Sequence, residues 1–150
     1  MLKILKYSFI IIFLTSCGYT PIYSNLKNNN INIQVQNTSG DKDLNNLIVQ
    51  KLSRYQNENA EKKFDVTIET DFNKIILTKD TAGNATNFRL SLKMTFNATN
   101  NGNSEELIYF EKFDMKKGNT IFEDQKYENI IKNDMINIII QRFVSQLLIK

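Results

Sequence analysis

The chain of 150 residues has no histidine and no tryptophan, a single cysteine, a single proline and only five glycines. Without an imidazole it can build neither a Ser-His pair nor a zinc site of the common kinds, which removes much hydrolytic and metal chemistry. The lone cysteine, Cys17, has no disulfide partner within the chain. Long apolar runs are missing as well: no stretch approaches the roughly 18 uninterrupted apolar residues of a membrane-spanning helix. Excess charge is also lacking. The formal charge of +3 includes Lys3 and Lys6, and removal of an N-terminal leader containing them leaves 17 basic against 16 acidic groups. A near-neutral chain of this kind is not an electrostatic nucleic-acid binder.

What is present begins with that leader. Lys3 and Lys6 precede an apolar run from Tyr7 to Leu14, followed by Thr15 and Ser16 directly before Cys17, the order of a secretory signal peptide. Leu14-Thr15-Ser16-Cys17 resembles a bacterial lipobox, whose cysteine becomes lipidated and then the first residue of the mature chain. The alternative is an ordinary signal with an incidental cysteine. Acylation accounts for both the position and the solitude of Cys17, and two or three acyl chains hold a protein on a membrane where one holds it only marginally. Gly18 after the cysteine, by resemblance to lipoprotein sorting, favours the outer membrane. The expected organisation is a signal peptide over 1–16, a lipidated N-terminus and tether over 17–30, and one domain over 31–150.

Ile31, Ile33 and Val35 alternate with Asn32, Gln34 and Gln36, predicting a half-buried strand. Asn37 to Gly40 is turn chemistry, and Asp41 is a candidate N-cap. Leu44, Leu47, Ile48, Leu52 and Tyr55 then recur at helical spacing, predicting about four turns that end near Asn57 to Ala60. Phe64, Val66 and Ile68 open a long strand whose alternation slips between Phe72 and Leu77, where a bulge or bend is expected. After a turn at Gly83-Asn84, Phe88, Leu90, Leu92, Met94 and Phe96 alternate with polar residues as in a sheet covered on one side only. Ala98 to Ser104, with Asn101-Gly102 at its centre, reads as a hairpin loop. The returning strand, Leu107 to Met115, is apolar on both faces near Ile108 to Phe110, which predicts a central or doubly covered position.

From about Asp124 onward the chain contains neither glycine nor proline, and its apolar residues keep helical spacing. Polar residues such as Lys132, Asp134 and Arg142 interrupt this helix, so it is expected to lie on the sheet rather than in a membrane. The order β-α-β-β-β-α predicts an α+β fold, a four-stranded mostly antiparallel sheet with two helices packed on one face.

Cys17-Gly18-Tyr19-Thr20-Pro21-Ile22-Tyr23 resembles the Cys-Gly-(aromatic)-x-Pro-(Leu/Ile)-Tyr opening of the lipopolysaccharide-assembly lipoprotein family LptE. Tyr127, Asp134 and Arg142, with the apolar residues between them, look like the C-terminal helix of its alphaproteobacterial members, and the inferred element order is the family's fold. The resemblance implies an outer-membrane lipoprotein on the periplasmic side. There it would plug and help assemble the LptD β-barrel, which moves lipopolysaccharide to the outer leaflet, without enzymatic activity or cofactor. Tyr19 and Tyr23 would suit a membrane interface or barrel wall, while Pro21 equally reads as a stiffener of the tether.

Lipopolysaccharide carries phosphates and carboxylates, so exposed bases are its candidate contacts. Arg89 and Lys93 share the wet face of the clearest strand, and Lys74 and Lys79 precede it on its hairpin partner. The plain alternative is that all four are solubilising charges. A rival reading is an unrelated periplasmic-facing lipoprotein that binds a small ligand or peptidoglycan. For an enzyme the sequence offers only scattered acids, Glu105, Glu106, Asp114, Glu123 and Asp124, with no accompanying motif. No catalytic or metal-binding residue is assigned.

Overall fold

A computed structural model describes residues 30–149. The expected signal peptide, Cys17 and the tether as far as Asn29 lie outside the described residues. The remainder forms β1 (Ile31–Ser39), α1 (Lys42–Leu52) with a 3-10 turn at Ser53–Tyr55, β2 (Lys62–Lys79), β3 (Ala85–Asn100), β4 (Asn103–Lys116) and α2 (Ile121–Ile149). The described strands make one sheet in the order β1-β2-β3-β4, with β1 parallel to β2 and the other pairs antiparallel. The expected α+β fold is therefore found.

A parallel pair needs a crossover, and α1 supplies it. Asp41 caps α1, its side chain accepting from the backbone N–H groups of Asp43 and Leu44 at 3.0 Å each. Just before it, Gly40 has φ +98°, and a Cβ there would lie 1.9 Å from the carbonyl oxygen of Thr70, so the turn demands glycine. The junction is locked by buried polar groups. Asn45 Nδ2 donates to the Ser39 carbonyl at 3.1 Å, and Thr70 Oγ1 donates to Asn45 Oδ1 at 3.0 Å.

The β2–β3 register shifts between Ile76 and Thr78, within the stretch where a bulge was expected. The predicted Ala98–Ser104 loop shrinks to Asn101-Gly102, with φ of 50° and 83°, because β3 and β4 remain paired up to Asn100 and Asn103. Two residues with positive φ match the turn that the strand twist favours. α2 begins three residues before Asp124, at Ile121. Thr120 and Glu123 form a reciprocal cap: Glu123 N–H donates to Thr120 Oγ1 at 3.1 Å, and Thr120 N–H donates to Glu123 Oε2 at 3.2 Å.

Both helices cover the same face. Leu44, Ile48 and Leu52 of α1 and Ile136, Ile139, Phe143 and Leu147 of α2 share one core with Ile33, Val66, Ile68, Leu92, Met94 and Phe96. Phe96 and Phe143 stack with ring centroids 4.1 Å apart, and Tyr109 meets the Phe96 ring edge-on at 5.9 Å. No helix among the described residues is long and apolar enough to cross a membrane. The 18 residues of β2 span about 60 Å, against about 43 Å for the 29 residues of α2. The outer end of the β2–β3 hairpin therefore outruns its cover, and Ile76 is 50% exposed although it follows the parity of the core side.

One expectation is corrected. β4 is neither central nor doubly covered: it is an edge strand, with Ile108 and Phe110 55% and 56% exposed. Its helix-side residues Leu107, Tyr109 and Met115 meet the core, while the apolar residues of its other face have no layer above them among the described residues.

Candidate functional site

The uncovered face of the sheet is built from rungs fixed by the strand registers. Across β2, β3 and β4 they read Thr67-Asn97-Glu106, Glu69-Thr95-Ile108, Asp71-Lys93-Phe110, Asn73-Ser91-Lys112 and Ile75-Arg89-Asp114. Acids and bases are interleaved rather than segregated. The surface is mixed in charge, with an apolar margin where Ile108 and Phe110 stand on β4.

The four bases singled out from the sequence do not form one cluster. Arg89 and Lys93 lie on the uncovered face as expected. Arg89 is held in a two-pronged pair by Asp114, Nε to Oδ1 at 2.6 Å and Nη2 to Oδ2 at 2.7 Å. That hydrogen bond holds the Asp114 carboxyl below the usual carboxylate range and raises the guanidinium pKa. Lys93 is exposed between Asp71 and Phe110 and takes part in no salt bridge among the described residues. Lys79 sits at the mouth of the β2–β3 turn, paired with Ala85.

Lys74 is on the opposite face. The shift after Ile76 leaves the parity of Phe64, Val66 and Ile68 intact through Lys74, which turns toward α2 rather than joining Arg89 and Lys93. Its Nζ lies 2.7 Å from Glu128 Oε2, and Lys132 reaches Glu128 Oε1 at 2.8 Å. Each ammonium also lies over a ring, Lys74 4.5 Å from the Phe88 centroid and Lys132 4.3 Å from that of Phe72. Burial pushes the Glu128 carboxyl up, but hydrogen bonds and charge from Lys132 and Lys74 outweigh it and leave the pKa below the ordinary value. With the Arg142–Glu111 pair and the bond from Tyr109 Oη to Gln146 at 2.8 Å, these contacts fasten α2 to the sheet.

Sequence reasoning missed Lys112, Ile108 and Phe110 as surface features. Their even-numbered parity in β4, opposite Ser91, Thr95 and Lys93, was the available signal. Two hollows adjoin the sheet. One of about 260 Å³ lies between β4 and α2, lined by Phe113, Tyr127, Ile130 and Ile138 among others. The second, about 370 Å³, is at the β3–β4 turn and includes Lys62, Phe64, Ala98, Glu105 and Leu147. Among the described residues no group of three or more Cys, Asp or Glu side chains is arranged to hold a metal ion. The scattered acids do not converge either: Asp114 pairs with Arg89, Glu123 caps the start of α2, and Asp124 accepts from the Gly118 N–H ahead of it.

Comparison with protein families matches residues 28–147 to a model described as LptE, Lipopolysaccharide-assembly. Comparison with curated proteins finds no match. Among solved structures, the chain is similar to rare lipoprotein B from Shewanella oneidensis, with a TM-score of 0.54 and 15% identity over 77% of this chain and 94% of that one. A lipoprotein from Caulobacter crescentus gives 0.53 and 11% over 83% and 90%, and a minor lipoprotein from Acinetobacter baumannii 0.50 and 16% over 79% and 91%. At these identities the likeness is one of fold.

Proposed function

The chain belongs to the LptE family of lipopolysaccharide-assembly proteins, and from that membership we propose that it is a lipid-anchored outer-membrane protein. It faces the periplasm, sits as a plug in an LptD-type β-barrel, helps that barrel assemble, and contacts the lipopolysaccharide passing through. It acts by binding and shape rather than by catalysis. The family match across residues 28–147 carries the reading. A compact domain with a polar, mixed-charge sheet face is also chemically suited to a water-filled barrel lumen. Cys17 supplies the anchor in this reading, and Lys93 and Lys79 are the foremost lipopolysaccharide contacts. Arg89 and Lys74 contribute less, since Asp114 and Glu128 already engage them.

Two experiments test the proposal. Affinity purification from detergent-solubilised outer membranes is expected to recover a large β-barrel together with the chain; recovery of the lipoprotein alone would overturn the plug. Metabolic labelling with a fatty acid is expected to mark the wild type and not Cys17→Ser, and an unlabelled wild type would remove the anchor.

A further inference from the structure

The two edges of the sheet differ. An open edge presents unpaired backbone groups that template another strand, and proteins blunt such edges with bulges, short strands and charge. β1 is blunted: it has nine residues, a register shift between Val35 and Asn37, and exposed Gln34, Gln36 and Asn37 along its second half. β4 is not. It pairs with β3 over 14 residues without a register shift and carries exposed Ile108 and Phe110. On the opposite, helix-covered side of the sheet the same edge borders the hollow of about 260 Å³ lined by Phe113, Tyr127, Ile130 and Ile138.

We propose that the β4 edge is a self-association surface, on which a second copy of this chain adds its own β4 antiparallel about a two-fold axis at Tyr109. On the uncovered face the sequence of the edge selects that register, while on the helix side it sets Leu107 against Glu111 and Glu105 against Phe113. Centred on Tyr109, Ile108 faces Phe110 of the second copy and Glu106 faces Lys112, and the symmetry makes each pair twice. Glu106 and Lys112 are exposed, and neither takes part in a salt bridge among the described residues. Neighbouring registers lose this match. An axis at Phe110 sets Ile108 against Lys112 and Glu106 against Asp114. An axis at Ile108 sets Glu106 against Phe110, and one at Glu111 opposes the two Glu111 side chains. Cross-strand apolar pairs and opposite charges stabilise a ladder, whereas like charges directly opposite weaken it. Pairing in an isologous contact also satisfies both open edges at once.

The test is sedimentation equilibrium of the full chain in density-matched detergent. The wild type is expected to show a monomer–dimer equilibrium. Glu106→Lys and Lys112→Glu should each weaken it about tenfold, since each converts two attractive pairs into repulsive ones, and the double variant should restore it. Restoration is specific to this register, because Glu106 and Lys112 meet only there. A chain monomeric at the highest concentration reached, species beyond a dimer, or dimers indifferent to the charge swaps would each overturn the proposal. Loss of barrel recovery by Glu106→Lys in a monomeric chain would instead assign the edge to the barrel. The proposal does not depend on the plug reading: a charge-sensitive dimer that recovers no barrel would leave this inference standing and remove only that one.

Discussion

Glu128 anchors the start of α2 to the long hairpin, and Glu128→Gln isolates what its charge contributes. The carboxylate is 16% exposed and receives Lys74 at 2.7 Å and Lys132 at 2.8 Å, themselves 33% and 22% exposed. Removing the charge leaves the Lys74 and Lys132 ammonium groups beside the Phe88 and Phe72 rings and a neutral amide instead of a carboxylate. Charge-assisted hydrogen bonds in partly covered sites put the cost at about 2 kcal/mol. Lys74→Gln should cost only about 1 kcal/mol, because Lys132 still neutralises the carboxylate. The double variant should cost less than the sum, since the residues touch. The pH dependence follows from the sign of the shift. The folded pKa of Glu128 is below its ordinary value, so the contribution is fully present above the unfolded pKa and is lost as pH falls through the folded one. Urea unfolding at neutral pH and at a series of acidic values measures both. The gap between wild type and Glu128→Gln should close in acid. A gap that persists unchanged, or a Glu128→Gln loss no larger than that of Lys74→Gln, would refute the account.

Phe143→Ala should lower stability by about 4 kcal/mol, because its ring is fully buried and stacked on Phe96; a urea-derived loss under about 1 kcal/mol would contradict that packing. Gly40→Ala should cost about 3 kcal/mol or more from the clash with Thr70 together with its positive φ. Gly102→Ala, at φ +83° but in open space, should cost only about 1 kcal/mol, and equal losses at the two glycines would be inconsistent with the geometry. Lys93→Gln should weaken binding of labelled lipopolysaccharide about threefold while leaving the unfolding midpoint in place. Lys74→Gln should do the reverse, and the opposite pattern would return Lys74 to the binding face.

The parts of the fold legible in the sequence were those in which one chemical pattern has one geometric meaning. Phe88 to Phe96 alternate, and one face of β3 is buried; Asp41 stands before an apolar period, and α1 starts there. Parity also held the answer for Lys74, which continues the even-numbered series from Phe64, but an expected bulge between Phe72 and Leu77 obscured it. The register shifts only after Ile76, so one position decided whether a lysine joins a surface or an internal ion pair. β4 failed for a different reason. Apolar residues on both faces of a strand signal that both faces are to be covered, and the pattern does not say by what. Strand order, which no local pattern encodes, puts β4 at the edge. The demand for cover made by Ile108 and Phe110 is therefore still unmet within the described fold. A second copy of β4 and the wall of a barrel are competing ways to meet it, and the response to exchanging Glu106 and Lys112 separates them.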